Sequence, residues 1–83
     1  MEIKLHPHCL DRLELRGTNE SEVRTTITSG EKIEVKYGRT SFRKNFNYSK
    51  QWRGKFFGTK QVEVIAVKEN NIWIALTVIT KYF

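Results

Sequence analysis

The sequence predicts an α+β fold: two N-terminal helices packed on one face of a four-stranded antiparallel β-sheet. Three observations carry that expectation. Apolar residues recur at helical spacing, between capping residues, up to Gly30. Beyond Gly30 the apolar period drops to two, the spacing of a half-buried strand. Near the C-terminus, Asn70-Asn71 separates two runs rich in Val and Ile, as in a tight hairpin.

The first helix is expected to start near Pro7, whose fixed φ suits the first helical position. It carries Leu10, Leu13 and Leu15 and stops at Gly17, which can adopt the left-handed conformation of a helix C-terminus. Asn19 is the N-cap of the second helix, and Glu22, three residues on, completes a capping-box arrangement. Val23 and Ile27 supply an apolar pair one turn apart, and Gly30 ends the helix.

Lys32-Ile33-Glu34-Val35-Lys36-Tyr37 alternates charged with apolar residues and reads as the first strand. Thr40 to Phe46 is the second, with Gly38-Arg39 at the turn. Gln61 to Lys68 and Ile72 to Thr80 are the third and fourth. A two-residue turn at Asn70-Asn71 pairs Val67 with Ile74, Ile65 with Leu76 and Val64 with Thr77. One face then carries Ile65, Val67, Ile74, Leu76 and Val78 and is expected under the helices. Val64, Ala66, Trp73, Ala75 and Thr77 make the flatter, more accessible face. Asn47 to Thr59, with Gly54 and Gly58, reads as a long loop, a kind of segment that often carries function.

Eighty-three residues allow one domain and a modest core, with little room for a deep cleft. The sequence is 39% hydrophobic and 29% charged, which suits a folded chain rather than a disordered one. The densest apolar stretch, Ile72 to Ile79, is far shorter than a membrane span. No apolar run follows Met1-Glu2-Ile3-Lys4, so no signal peptide is expected. A single cysteine, Cys9, cannot form an intramolecular disulfide and fits a reducing, cytoplasmic compartment.

The net charge of +6 is unevenly placed. No acidic residue occurs from Val35 to Val62, a window that holds Lys36, Arg39, Arg43, Lys44, Lys50, Arg53, Lys55 and Lys60. Any polyanion site is expected there. Tyr37, Phe42, Phe46, Tyr48, Trp52, Phe56 and Phe57 are interleaved with those bases. Bases attract phosphates and exposed rings stack on unpaired nucleobases, so Arg39, Arg43, Lys44, Tyr48, Lys50, Trp52, Arg53 and Lys55 are candidate contacts to single-stranded RNA. Phe42 and Phe46 share one side of a strand and read as core. The same window also describes a solvated loop with its aromatics folded back.

His8, Arg12 and Arg16 recur every four residues and share one ridge of the first helix. An imidazole can move protons near neutral pH, and guanidiniums can stabilise the charge that develops on a phosphodiester under attack. The same spacing describes surface arginines pairing with Asp11, Glu14 or Glu20. His6-Pro7-His8-Cys9 has metal-ligating residue types, but no second Cys/His pair completes a tetrahedral set, so no metal or cofactor is expected. Cys9 reads as a small buried residue. There is no glycine-rich phosphate loop, no paired-carboxylate site and no Ser-His-Asp signal. Only Arg24 offsets Glu20 and Glu22 on the second helix, a poor surface for reading DNA.

His8-Cys9-Leu10-Asp11-Arg12-Leu13-Glu14-Leu15-Arg16-Gly17, followed by Asn19-Glu20-Ser21-Glu22-Val23 and Ile27, resembles the N-terminal pattern of the family catalogued as domain of unknown function 4258. The stretch from Lys60 through Trp73 to Phe83 resembles the end of that family's pattern. The resemblance implies a layout similar to barnase-like, RelE-like and colicin-type RNases, and members occur as toxin modules. It further implies a metal-independent endoribonuclease in which His8 shuttles protons, Arg12 and Arg16 hold phosphate, and Lys60 or Thr77 completes the site. The partners expected are single-stranded RNA and an acidic antitoxin-like or immunity-like protein; the chain is expected to be a monomer or homodimer, and no membrane is expected to be involved. A non-catalytic RNA-binding or protein-interaction module is the alternative.

Overall fold

The computed structural model describes residues 2–83. Its elements run β1 (Glu2–Leu5), α1 (Pro7–Arg16), α2 (Glu20–Ser29), β2 (Glu31–Glu34), β3 (Arg39–Trp52), β4 (Lys55–Glu69) and β5 (Ile72–Tyr82). The α+β class and both helices match the sequence expectation. The sheet does not: it has five strands in the order β1-β5-β4-β3-β2, one pair of them parallel. Glu2-Ile3-Lys4-Leu5 alternates charged with apolar residues but is only four residues long. Its partner is β5, some seventy residues away, with Ile3 opposite Trp73 and Leu5 opposite Ala75. Local pattern cannot announce a strand whose pairing is that remote.

The helix caps follow the sequence closely. Gly17 is left-handed (φ 74°), and its N–H reaches Glu14 O at 3.0 Å while Thr18 N reaches Leu13 O at 3.0 Å. His6 is the N-cap of α1, its Nδ1 accepting from His8 N at 3.1 Å. Asn19 Oδ1 accepts from Glu22 N at 2.8 Å, so the first half of the capping box is present. The Glu22 carboxylate makes no return bond to the cap. It turns instead to Thr18 Oγ1 at 2.8 Å and Lys60 Nζ at 2.7 Å.

The stretch expected as a loop from Asn47 to Thr59 is strand and turn. β3 and β4 form one long hairpin, with Trp52 opposite Lys55 across the turn Arg53-Gly54. Both turn residues have positive φ (53° and 83°), the geometry that Asn-Gly usually supplies. The pairing shifts between Asn47 and Lys50, where Ser49 sits at φ 49° as a bulge. That extra residue breaks the period-two pattern and hides the strand. β2 is correspondingly shorter than expected, because Tyr37 (φ 65°) and Gly38 form the next turn and Tyr37 is 90% exposed.

The Asn70-Asn71 hairpin forms as expected, with both residues at positive φ and Val67 opposite Ile74. Two pairs further along, a bulge between Ile65 and Ala66 moves the register, so Ile65 faces Thr77 and Val64 faces Val78. The buried face is also the reverse of the expected one on the turn side of that bulge and in β4, while Val78 and Thr77 beyond it lie on the expected sides. Val62, Val64, Ala66, Trp73, Ala75 and Val78 lie under the helices, with Ile3, Cys9, Val23, Ile27 and Phe42. Both rows of the hairpin are apolar, so alternation alone could not choose between them. Ala66 and Ala75 leave room for the helices to approach, and Phe42 meets Trp73 edge to face at 5.0 Å. Ile65, Val67, Ile74, Leu76 and Thr77 are half-buried on the uncovered side. No helix among the described residues is long and apolar enough to cross a membrane.

Candidate nucleic-acid interface

The last carbonyls of a helix lack partners within the helix and carry its partial negative charge. At the end of α1 every one of them that reaches the sheet meets a donor. Leu15 O accepts from Arg53 Nη2 at 3.2 Å. Arg16 O accepts from Thr80 Oγ1 at 2.8 Å and Tyr82 Oη at 2.7 Å. Gly17 O accepts from Lys60 Nζ at 2.9 Å. The tip of the β3–β4 hairpin and the end of β5 are thereby fastened to the C-terminus of α1.

Aromatic packing reinforces this joint. Trp52 stacks on Tyr82 with ring centres 4.8 Å apart and planes 17° apart. Tyr48 meets the same ring edge-on at 5.2 Å and Phe57 at 5.7 Å. Burial pushes the Tyr82 hydroxyl above its ordinary pKa, so it stays a donor to Arg16 O. Arg53 lies over Trp52 at 5.1 Å and Lys50 over Tyr48 at 5.3 Å, so the rim of the aromatic cluster is cationic.

The candidate residues divide by position. Tyr48, Lys50, Trp52, Arg53 and Lys55 gather at the hairpin tip, and Arg53 joins them to the Arg12–Arg16 end of α1. Among the described residues, none of Arg12, Arg16, Lys50, Arg53 and Lys55 is in an ion pair. Glu20 pairs with Arg24 at 2.9 Å rather than with either α1 arginine. Lys44 lies further down β3, 6.0 Å over the Phe46 ring. Arg39 starts β3 at its far end, and Arg43 pairs with Glu63 at 3.4 Å.

The residues assigned to a cleavage site do not form one group. His8 is exposed at the start of α1, two turns or roughly 12 Å along the axis from Arg16. Lys60 is only 6% exposed and is held by Glu22 and Gly17 O, beside the Tyr48 ring at 5.4 Å. Thr77 is opposite Ile65, and both alternate with the buried Val78 and Val64, so Thr77 faces away from α1. Cys9 is fully buried, which pushes its thiol pKa up. There is no pocket among the described residues.

Tyr82, whose ring organises the cluster, is not among the candidates singled out from the sequence. The signal was Trp52, Phe57 and Tyr82 near the ends of neighbouring strands, legible only once Asn47 to Thr59 is read as a hairpin. No family model, curated protein or solved structure matches this chain.

Proposed function

We propose that the protein is a non-catalytic module that binds single-stranded RNA where the β3–β4 hairpin tip meets the C-terminus of α1. The observation carrying this reading is the set of five bases without acidic partners among the described residues, Arg12 and Arg16 on α1 and Lys50, Arg53 and Lys55 at the hairpin tip, with Arg53 over the Trp52–Tyr82 stack. Such bases attract a phosphate backbone, and the half-exposed edges of Tyr48 and Trp52 offer apolar contact to unpaired bases. The resemblance of the His8–Gly17 pattern to a family with toxin-module members supports RNA as the polyanion. Binding is favoured over cleavage because Lys60 is already neutralised and Thr77 faces away from His8.

Fluorescence anisotropy of a short labelled single-stranded RNA tests this directly. Affinity is expected to fall with salt, with a log–log slope of about −2 to −3.5, from roughly 0.7 for each of three to five neutralised phosphates. Lys50→Glu with Lys55→Glu, both exposed, is expected to weaken binding by about tenfold or more while the fold is unchanged. His8→Ala is expected to bind like the parent, with the RNA left intact on a gel. No anisotropy change from folded protein at low salt, or RNA cut in a His8-dependent way, overturns the reading.

A further inference from the structure

β3 is fourteen residues long, but β2 covers only its first part, from Thr40 to Arg43. On its other side β3 pairs with β4 as far as Trp52. Past Arg43 the outer edge of β3 is therefore a preformed strand with no neighbouring strand among the described residues, from Lys44 to the bulge at Ser49. Such an edge presents a row of unpaired N–H and C=O groups.

The direction of those groups can be read from the ends of the paired stretch. Arg39 O accepts from Val35 N at 3.1 Å, on the β2 side, and Arg43 O lies against Gly30, just before β2. Backbone groups alternate along a strand, so the N–H and C=O of Asn45 and Asn47 also point to the open edge. Both asparagines are exposed.

Charge selects the kind of strand that can add there. The ribbon from Lys44 to Val62 has no acidic residue and carries Lys44, Lys50, Arg53 and Lys55, besides the buried Lys60 that Glu22 neutralises. A second copy adding edge to edge would bring Lys44 and Lys50 of both chains together, which is unfavourable for facing strands. An acidic strand meets them with the opposite sign. On the side of β3 that carries Lys44, Phe46 and Tyr48, a base precedes two aromatics and each ring has a lysine over it, so a strand carrying both acidic and apolar residues on that side complements it.

We infer that the free edge of β3 around Asn45 and Asn47 takes up an extended acidic segment of another protein as a sixth strand of the sheet. The site adjoins the aromatic cluster at the hairpin tip and shares Lys50 and Tyr48 with it, but its backbone groups at Asn45 and Asn47 are its own, so it stands whether or not the tip binds RNA. Main-chain hydrogen bonds supply affinity in this mode, and Lys44 and Lys50 select the acidic partner.

The probe is a synthetic octapeptide in which threonine alternates with glutamate and valine, followed by amide hydrogen exchange resolved by NMR. The peptide is expected to slow exchange at Asn45 and Asn47 more than at Lys44 and Phe46, whose amides point to β4. A peptide with lysine in place of glutamate is expected to give no protection. Asn45→Pro removes an outward N–H at an edge position where proline is tolerated, and is expected to weaken binding by about tenfold. Binding that leaves Asn45 and Asn47 unprotected, equal binding of the lysine peptide, or no binding to folded protein overturns the inference. Protection of the same amides by RNA alone also overturns it, since the edge is then a nucleic-acid contact. Anisotropy with RNA is scored separately, so failure of either site is distinguishable from failure of the other.

Discussion

Glu22→Ala is expected to cost about 3 kcal/mol or more, a large share of the roughly 5–10 kcal/mol that holds a domain of this size together. The Lys60 ammonium is nearly inaccessible to water, and Glu22 is its only carboxylate partner among the described residues, at 2.7 Å. Removing the carboxylate leaves a buried cation with Gly17 O and the Tyr48 ring as its remaining company. Thr18 Oγ1 loses its acceptor in the same step. The Glu22 side chain keeps some exposure, which places the cost toward the lower end for a broken buried pair. Replacing both partners with apolar residues, Glu22→Leu with Lys60→Met, is expected to recover most of the loss, because no unpaired charge remains. Urea unfolding of the three proteins measures this. A Glu22→Ala protein within about 1 kcal/mol of the parent would show that water reaches Lys60 and that the pair is an ordinary surface bridge.

Gly17→Ala has the second large effect, about 2–4 kcal/mol, from two sources. The residue is left-handed at φ 74°, which costs a residue with a Cβ about 1–2 kcal/mol. The new methyl group would also sit 2.6 Å from the Trp52 ring and against the Tyr82 hydroxyl. Either the end of α1 or the hairpin tip must then move, and the Tyr82 bond to Arg16 O is strained with it. Gly54→Ala is the matched control, since that residue is also left-handed (φ 83°) but has nothing near its would-be Cβ. It is expected to lose only the conformational part. Tryptophan fluorescence separates the two, with a red shift for Gly17→Ala and none for Gly54→Ala. Equal losses in the two variants would mean that Gly17 does not set the close approach between α1 and the tip.

The legible parts of this fold were those written in local chemistry. Pro7, Gly17, Asn19 and Gly30 bracket two helices at their true ends, and Asn70-Asn71 marks a real hairpin. What escaped depends on contacts between distant residues. β1 is defined by Ile3 finding Trp73 and Leu5 finding Ala75. The covered face of the sheet is fixed by how closely the helices approach Ala66 and Ala75, and bulges reset the alternation of β3 and β5. The acid-free window marked the right segment for a basic surface, but taking it for a loop concealed its geometry. As a hairpin it splits its bases between a tip near Arg16 and a far end near Arg39, and it puts Lys60 in the interior. His8, Arg12 and Arg16 do share a helix, as their spacing says, yet the sheet residues that meet its end are Thr80 and Tyr82 at Arg16 O, while Thr77 faces away from α1 and Lys60 is held by Glu22.

Amide and indole chemical-shift mapping with a short single-stranded RNA tests most directly whether the α1–hairpin joint is the binding surface. The expected result is a contiguous set of shifts at Arg16, Gly17, Tyr48, Lys50, Arg53 and Lys55 and at the Trp52 indole, diminishing as salt is raised. Shifts centred instead on Ile65, Val67, Ile74 and Thr77 of the uncovered sheet face, or none at low salt, would contradict it.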